Sequence, residues 1–239
     1  MSRLKTIAII PARGGSKRIP GKNLLPVGGK PLLQHSIEQA RQSSSVDRVI
    51  VSTDDNDITR VSKAAGAEVV LRPAELSNDK ASSESALTHV LGYLNSKEQY
   101  VPDLVVFLQC TSPVRAPKDI DQAVEMLQKK GADSLFSACR NDKFIWRMID
   151  GVPKALNYDP EHRPREQDFP EEYHENGSIF VFKPWVLEKF NNRLGGKMAV
   201  FEMSYWSSFQ VDSPEDLALI EWIFMRKESR SSHQAAVIK

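Results

Sequence analysis

The feature that most constrains the fold is an alternation. Short apolar runs at 6–10, 48–52, 68–71, 104–108 and 134–138 are separated by stretches at 31–42, 57–65, 83–94 and 117–130, whose apolar residues recur three or four positions apart. The short runs suit buried strands, and the wider spacing suits helices with one buried face. Strands joined through helices pair in parallel, and a parallel sheet needs helices on both faces. The expected class is therefore α/β, a Rossmann-like open, mainly parallel sheet. A further strand is expected at 177–182 and a closing helix at 214–225, after the turn signal Asp212-Ser213-Pro214. Between 140 and 175 the sequence turns polar, aromatic and proline-rich, with Phe144, Trp146, Pro153, Pro160 and Pro164. This reads as an inserted arm rather than a linker, because its aromatics need a surface to cover. The expected organisation is one domain over 1–230 carrying that arm, with a flexible tail at 231–239.

The first apolar run feeds directly into Arg13-Gly14-Gly15-Ser16-Lys17-Arg18-Ile19-Pro20-Gly21-Lys22-Asn23. Backbone N–H groups and cations can converge there on one polyanion, of the kind a nucleoside triphosphate carries. It is not a Walker loop, since Asn23 follows Lys22 where Ser or Thr is required, and the Gly-x-Gly-x-x-Gly spacing is missing too. A plain glycine turn with solvated charges is the bland alternative. Its position after a buried-type strand argues against that, because ligands of open α/β sheets bind at the carboxyl ends of strands.

Lys and Arg total 32 against 31 Asp and Glu, so the chain is nearly neutral and nothing global points to nucleic acid or an anionic membrane. Cys110 and Cys139 lack metal-ligand spacing and suit small buried residues in a reducing compartment. No apolar run approaches the roughly 20 residues of a membrane helix, and the expected location is the cytoplasm. His35, His89, His162, His174 and His233 are scattered, and Cys110 has no evident partner base, so a metal hydrolase or a nucleophilic enzyme has little support.

The loops that follow the strands carry an ordered set of motifs: Pro11-Ala12-Arg13-x-Gly15-Ser16-Lys17, Lys22-Asn23, Val51-Ser52-Thr53-Asp54, Arg72-Pro73, Leu108-Gln109-x-Thr111-Ser112-Pro113, Asp133-Ser134, Arg163-x-Arg165-x-Gln167-Asp168, Asn176-Gly177-Ser178 and Asp212-x-Pro214-Glu215-Asp216. Each is weak alone, but in this order, from about residue 6 to about residue 222, the chain resembles the acylneuraminate cytidylyltransferase family. The resemblance implies a nucleotide-diphospho-sugar transferase type of fold, a dimerisation role for the arm, and transfer of CMP from CTP to the anomeric hydroxyl of a nonulosonic acid such as sialic or legionaminic acid, with pyrophosphate released.

It also implies roles for particular residues. Arg13 and Lys22 would contact the triphosphate, with Gly15, Ser16, Lys17, Asn23 and Arg72 completing the nucleotide site. Ser82 and Ser83 resemble cytosine and ribose contacts, although Ser at a helix start is equally an N-cap. Gln109, Asn176 and Phe180 fall on the sugar side. The sugar's carboxylate calls for a guanidinium or ammonium group. Lys143, Arg163 and Arg165 are the candidates, with Gln167 beside them, unless the arginines form surface ion pairs with Asp168 or Glu161. Such arms usually reach a neighbouring subunit, which implies a homodimer or tetramer. Catalytic roles fall to Arg13, Lys22, Arg165 and Asp212, and the cofactor is Mg²⁺ or Mn²⁺.

The sequence departs from the family pattern in three places. Where many relatives carry Asp-x-Asp, this chain has Gln210-Val211-Asp212, which leaves Asp212 as the main metal candidate and Gln210 as a weak one. Phe180 stands where Tyr is common, and Glu166 where some relatives have a second Arg. Both changes bear on which sugar substituents are accepted. Two other readings stay open: a nucleotidyltransferase acting on a sugar phosphate, and an inactive nucleotide-binding paralogue.

Overall fold

The computed structural model describes residues 3–16, 18–78 and 81–237, without the side chains of Glu166 and 227–237. In chain order the elements are β1 (Thr6–Pro11), the short pair β2 (Pro26–Val27) and β3 (Lys30–Pro31), α1 (Leu32–Gln42), β4 (Arg48–Thr53), α2 (Asn56–Ala64), β5 (Glu68–Leu71), α3 (Ser83–Glu98), β6 (Leu104–Leu108), α4 (Asp119–Lys130) and β7 (Ser134–Arg140). The hairpin β8 (Trp146–Ile149) and β9 (Val152–Ala155) follows, then β10 (Tyr173–Phe182), α5 (Pro184–Phe190), β11 (Met198–Glu202) and α6 (Pro214–Val237).

Seven strands form one sheet in the order β11-β7-β10-β6-β1-β4-β5. All neighbours pair in parallel except β10, which runs antiparallel between β6 and β7. The parity of each strand decides which layer its side chains join. Ala8, Ile10, Val49, Val51, Val106 and Leu108 pack under α1, α2 and α4. Ile7, Ile9, Ile50, Val105 and Phe107 pack against Leu87 and Val90 of α3 and Val186 and Leu187 of α5. A third cluster of Ile19, Val27, Leu32, Val114 and Val211 seats Ile220 and Ile223 of α6. Among the described residues no helix is long and apolar enough to cross a membrane.

The chain steps outward from β1 to β4 and β5, then returns to place β6 on the other side of β1. The loops after β1 and β6 therefore part above the sheet and leave a crevice at its carboxyl edge. Because β10 runs the opposite way, its first residues arrive at the same edge, with Ile179 opposite Leu108.

Several elements differ from the sequence reading. The arm contains a hairpin whose turn residues Asp150 and Gly151 both have positive φ, 51° and 78°, the geometry that the Asp-Gly dipeptide favours between paired strands. The α5 helix starts at Pro184, and β11 pairs with β7 at the sheet's edge. The closing helix runs on to Val237 instead of ending near 225, since 226–237 contains neither Pro nor Gly to stop it. Phe180 is fully buried in β10, and its ring stacks on Phe107 at 5.4 Å. Truncating it to Ala should lower the unfolding free energy by about 3–5 kcal/mol in urea denaturation; a loss below about 1 kcal/mol would contradict its place in the core.

Candidate active site

The crevice between the β1 and β6 loops is a cleft of about 290 Å³. Arg13, Ser16, Lys22 and Asn23 form one wall, Arg72, Ser82 and Ser83 another, and Gln109 and Thr111 a third. The nucleotide-side residues expected from the sequence thus come together, with Gly15 in the same loop and Lys17 outside the described residues.

The local sequence explains how this loop is held. The Asn23 side-chain amide donates to the Arg13 carbonyl at 3.0 Å, and Arg13 reaches the Asn78 carbonyl at 3.0 Å. Gly14 donates its N–H to Asp54 Oδ1 at 3.1 Å, and a Cβ on Gly14 would lie 2.5 Å from Asp55 Oδ2. Asp55 in turn caps α2 by accepting from the Ile58 N–H at 2.9 Å. The close approach of loop to helix therefore requires glycine at 14. Gly15, by contrast, is exposed, and a side chain there would meet nothing within 4 Å.

Two buried guanidinium groups, one lining the cleft and one behind Gln109, contact no carboxylate among the described residues. Arg72 is 8% exposed, donating to Ser52 Oγ at 3.1 Å and to the Ser52 carbonyl at 2.7 Å. Burial pulls its pKa down, Asp54 raises it, and Arg13 lowers it further. Arg115 is 5% exposed and donates to Ser36 Oγ, Gln39 Oε1 and the carbonyls of Gln109 and Ser178, at 2.8–3.0 Å. Burial lowers its pKa to about 10, so it stays charged at neutral pH. It braces the β6 loop against β10 and α1. The sequence reading gave Arg115 no role; an Arg two residues beyond Ser112-Pro113, at the end of a buried strand, was the available signal.

Ser82 caps α3, its Oγ accepting from the Ser85 N–H at 3.1 Å. It lines the cleft as well, so its capping bond does not remove it from the cleft wall. Lys22 Nζ donates to the Val211 carbonyl at 2.9 Å and pairs with Asp212 Oδ1 at 3.0 Å, tying the first loop to the start of α6. That start is fixed by a reciprocal cap: Ser213 Oγ accepts from the Asp216 N–H at 3.2 Å, and Asp216 Oδ2 accepts from the Ser213 N–H at 2.8 Å.

The sugar-side candidates separate. Gln109 lines the cleft. Asn176 is fully buried, and its side chain is consumed internally. Its Oδ1 accepts from Ser137 Oγ at 2.6 Å and from the Ser178 N–H at 3.2 Å, while Nδ2 donates to the Ser207 carbonyl at 3.1 Å. It belongs to the frame of the site and, like Phe180, offers a ligand no exposed side-chain atom. Lys143, Arg163, Arg165 and Gln167 are all exposed on the arm and line no part of the cleft. Lys143 pairs with Asp142 at 2.8 Å, and Arg165 pairs with Asp168 at 2.6 Å. The Arg163 guanidinium lies 3.7 Å from the centroid of the Phe144 ring.

Gln210 donates Nε2 to the Asn176 carbonyl at 3.0 Å. Among the described residues no three His, Cys, Asp or Glu side chains cluster as a metal site. Asp212 is the carboxylate beside Lys22 at this edge, a ligand type that Mg²⁺ accepts alongside phosphate and water oxygens. Gly177 has φ 63°, a left-handed conformation, and a Cβ there would lie 2.5 Å from Gln109 Oε1 and displace that side chain. Replacing Gly177 with Ala should destabilise the fold by at least about 1 kcal/mol through the left-handed backbone alone; unchanged thermal unfolding would contradict this geometry.

A family model described as "Cytidylyltransferase" matches residues 7–236. The chain is 36% identical over 223 residues to N-acylneuraminate cytidylyltransferase of Oncorhynchus mykiss, covering 92% of this chain and 50% of that protein. It is 34% identical over 228 residues to the enzyme of that name from Escherichia coli O18:K1:H7, covering 94% and 53%. With pseudaminic acid cytidylyltransferase of Campylobacter jejuni serotype O:23/36 the identity is 35% over 193 residues, covering 78% and 83%. The chain thus spans about half the length of the N-acylneuraminate relatives it matches. Among solved structures, CMP:2-keto-3-deoxy-manno-octonic acid synthetase complexed with CTP superposes with a TM-score of 0.68 at 23% identity, covering 93% of this chain and 99% of that one. The 4-diphosphocytidyl-2C-methyl-D-erythritol synthase of Anaerococcus prevotii superposes with a TM-score of 0.67 at 13% identity, covering 94% and 100%. These two likenesses concern the fold.

Proposed function

The chain belongs to the cytidylyltransferase family, and from that membership we propose that it transfers CMP from CTP to the anomeric hydroxyl of a nonulosonic acid. The observation that carries this reading is the cleft at the reversal of strand order. Its Arg13, Lys22 and Arg72 supply positive charge on the nucleotide side, and Gln109 supplies a neutral amide on the acceptor side.

In the reaction the acceptor's anomeric oxygen bonds to the α-phosphorus while the bond to the β-phosphate oxygen breaks, releasing pyrophosphate. Little covalent chemistry falls to the protein, so rate comes from alignment and from charge neutralisation. Arg13 and Lys22 take the triphosphate, with Ser16 and Asn23 orienting the loop. Ser82 and Ser83 meet the nucleoside where α3 begins. Asp212 is the residue that would hold Mg²⁺ or Mn²⁺, an ion that would neutralise phosphate charge. The ion pair between Lys22 and Asp212 keeps the nucleotide loop and the metal ligand in register.

The arm supports a homodimer. Trp146, Met148 and Val152 are 48%, 65% and 55% exposed on its hairpin, an apolar surface suited to a second copy. Lys143, Arg163 and Arg165 lie outside their own chain's cleft, and we assign them to the partner's acceptor carboxylate. Two buried free cysteines suit a reducing compartment, the cytoplasm.

Pyrophosphate release should require CTP, a divalent metal and one member of a panel of nonulosonic acids, and should fall at least about a hundredfold in Arg13→Ala. Activity with a sugar phosphate and none with any nonulosonic acid would favour the sugar-phosphate reading; CTP binding without turnover would favour an inactive paralogue. Replacing Trp146 and Met148 together with Asp should convert a dimer to a monomer in light scattering, and an unchanged mass would remove the arm from the interface.

A further inference from the structure

Gln210 and Asp212 lie two residues apart on one short segment, which is pinned to the β6 loop by the Val211 N–H donating to the Thr111 carbonyl at 2.7 Å. Their side chains diverge. Asp212 turns to Lys22 of the nucleotide loop, 3.0 Å away. Gln210 turns instead over Gly177, where a Cβ would lie 3.0 Å from Gln210 Nε2 and 2.5 Å from Gln109 Oε1. Two amides thus converge over Gly177, and one of them, Gln109, lines the cleft.

Chemistry settles which way the Gln210 amide faces. The Asn176 carbonyl can only accept, so Nε2 is the atom that meets it at 3.0 Å, and Oε1 and the second N–H turn away from it. A neutral group offering one acceptor and one donor suits a ligand that offers the same pair, such as a secondary amide or a hydroxyl. It is a weaker partner for magnesium than a carboxylate would be, and it puts no negative charge where an anionic acceptor must approach.

We propose that Gln210 is an acceptor-recognition residue, pairing with Gln109 across Gly177 to bind a donor–acceptor group of the sugar acid while Asp212 serves the metal side. This assignment rests on the cytidylyl-transfer reading and deepens it. It makes Gln210 a determinant of which acceptor is used.

Acceptor affinity, measured by calorimetry with Mg²⁺ and a non-hydrolysable CTP analogue, tests the assignment in wild type, Gln210→Ala and Gln210→Glu. The alanine variant should bind the acceptor about tenfold more weakly. The glutamate variant should lose more, because it adds like charge and faces a carboxylate toward the Asn176 carbonyl. In the alanine variant, affinity for the CTP analogue and the Mg²⁺ concentration for half-maximal turnover should stay within about twofold, inside the span of a minor hydrogen-bond change. Unchanged acceptor affinity with a raised Mg²⁺ requirement in the alanine variant would overturn the assignment and return Gln210 to the metal. Wild-type protein that binds the CTP analogue but no nonulosonic acid would refute the functional reading itself, a result distinct from either variant outcome.

Discussion

The carboxyl edge of the sheet around β10 depends on one buried side chain, Asn176. At the start of β10 the pairing with β7 shifts register between Glu175 and Phe180, and the backbone groups freed by that bulge must find partners inside the protein. Ser137 Oγ accepts from the Ile179 N–H at 2.7 Å and donates to Asn176 Oδ1, filling the gap in the ladder. Through its side chain Asn176 holds the turn at Ser207, and through its carbonyl it holds Ser112 and Gln210. Three segments that are remote in sequence are thereby fixed against one residue. Without that hub, Gln109 and Gln210 would have no common reference, because Gly177 between them offers no side chain of its own.

The other side of the crevice is organised by charge. Lys22 crosses from the first loop to the start of α6, and the buried Arg115 lies beneath the β6 loop with neutral acceptors only. A guanidinium so placed is costly to bury. Its four neutral acceptors offset much of that cost. Arg72 repeats the arrangement on the other side, where the end of β5 meets the end of β4.

Much of this was legible in the sequence. The unbroken apolar runs gave the parallel strands, since a strand buried on both faces needs no alternation, and the position of the loop from Arg13 to Asn23 after the first strand put its residues at the cleft. What stayed hidden involved long-range partners. Nothing local distinguishes Asn176 as a buried hub from Asn176 as a ligand contact, because its partners lie at 112, 137, 207 and 210. Phe180 read as a site residue through resemblance, yet the period of β10 turns its ring onto Phe107. Arg165 pairs with Asp168 within the chain, the surface ion pair that the sequence offers as its alternative to a carboxylate contact. The Asp150-Gly151 hairpin was a missed local signal, masked by the prolines around it.

In the proposed function the nucleotide sits where the β1 and β6 loops part. Hydrogen exchange with and without CTP and Mg²⁺ tests it most directly. Slowed exchange at 12–25, at 81–85 and at 109–115 is the result expected. Protection confined to the groove of about 290 Å³ between α3 and α5, lined by Leu91, Tyr100 and Leu187 at the opposite edge of the sheet, would contradict it.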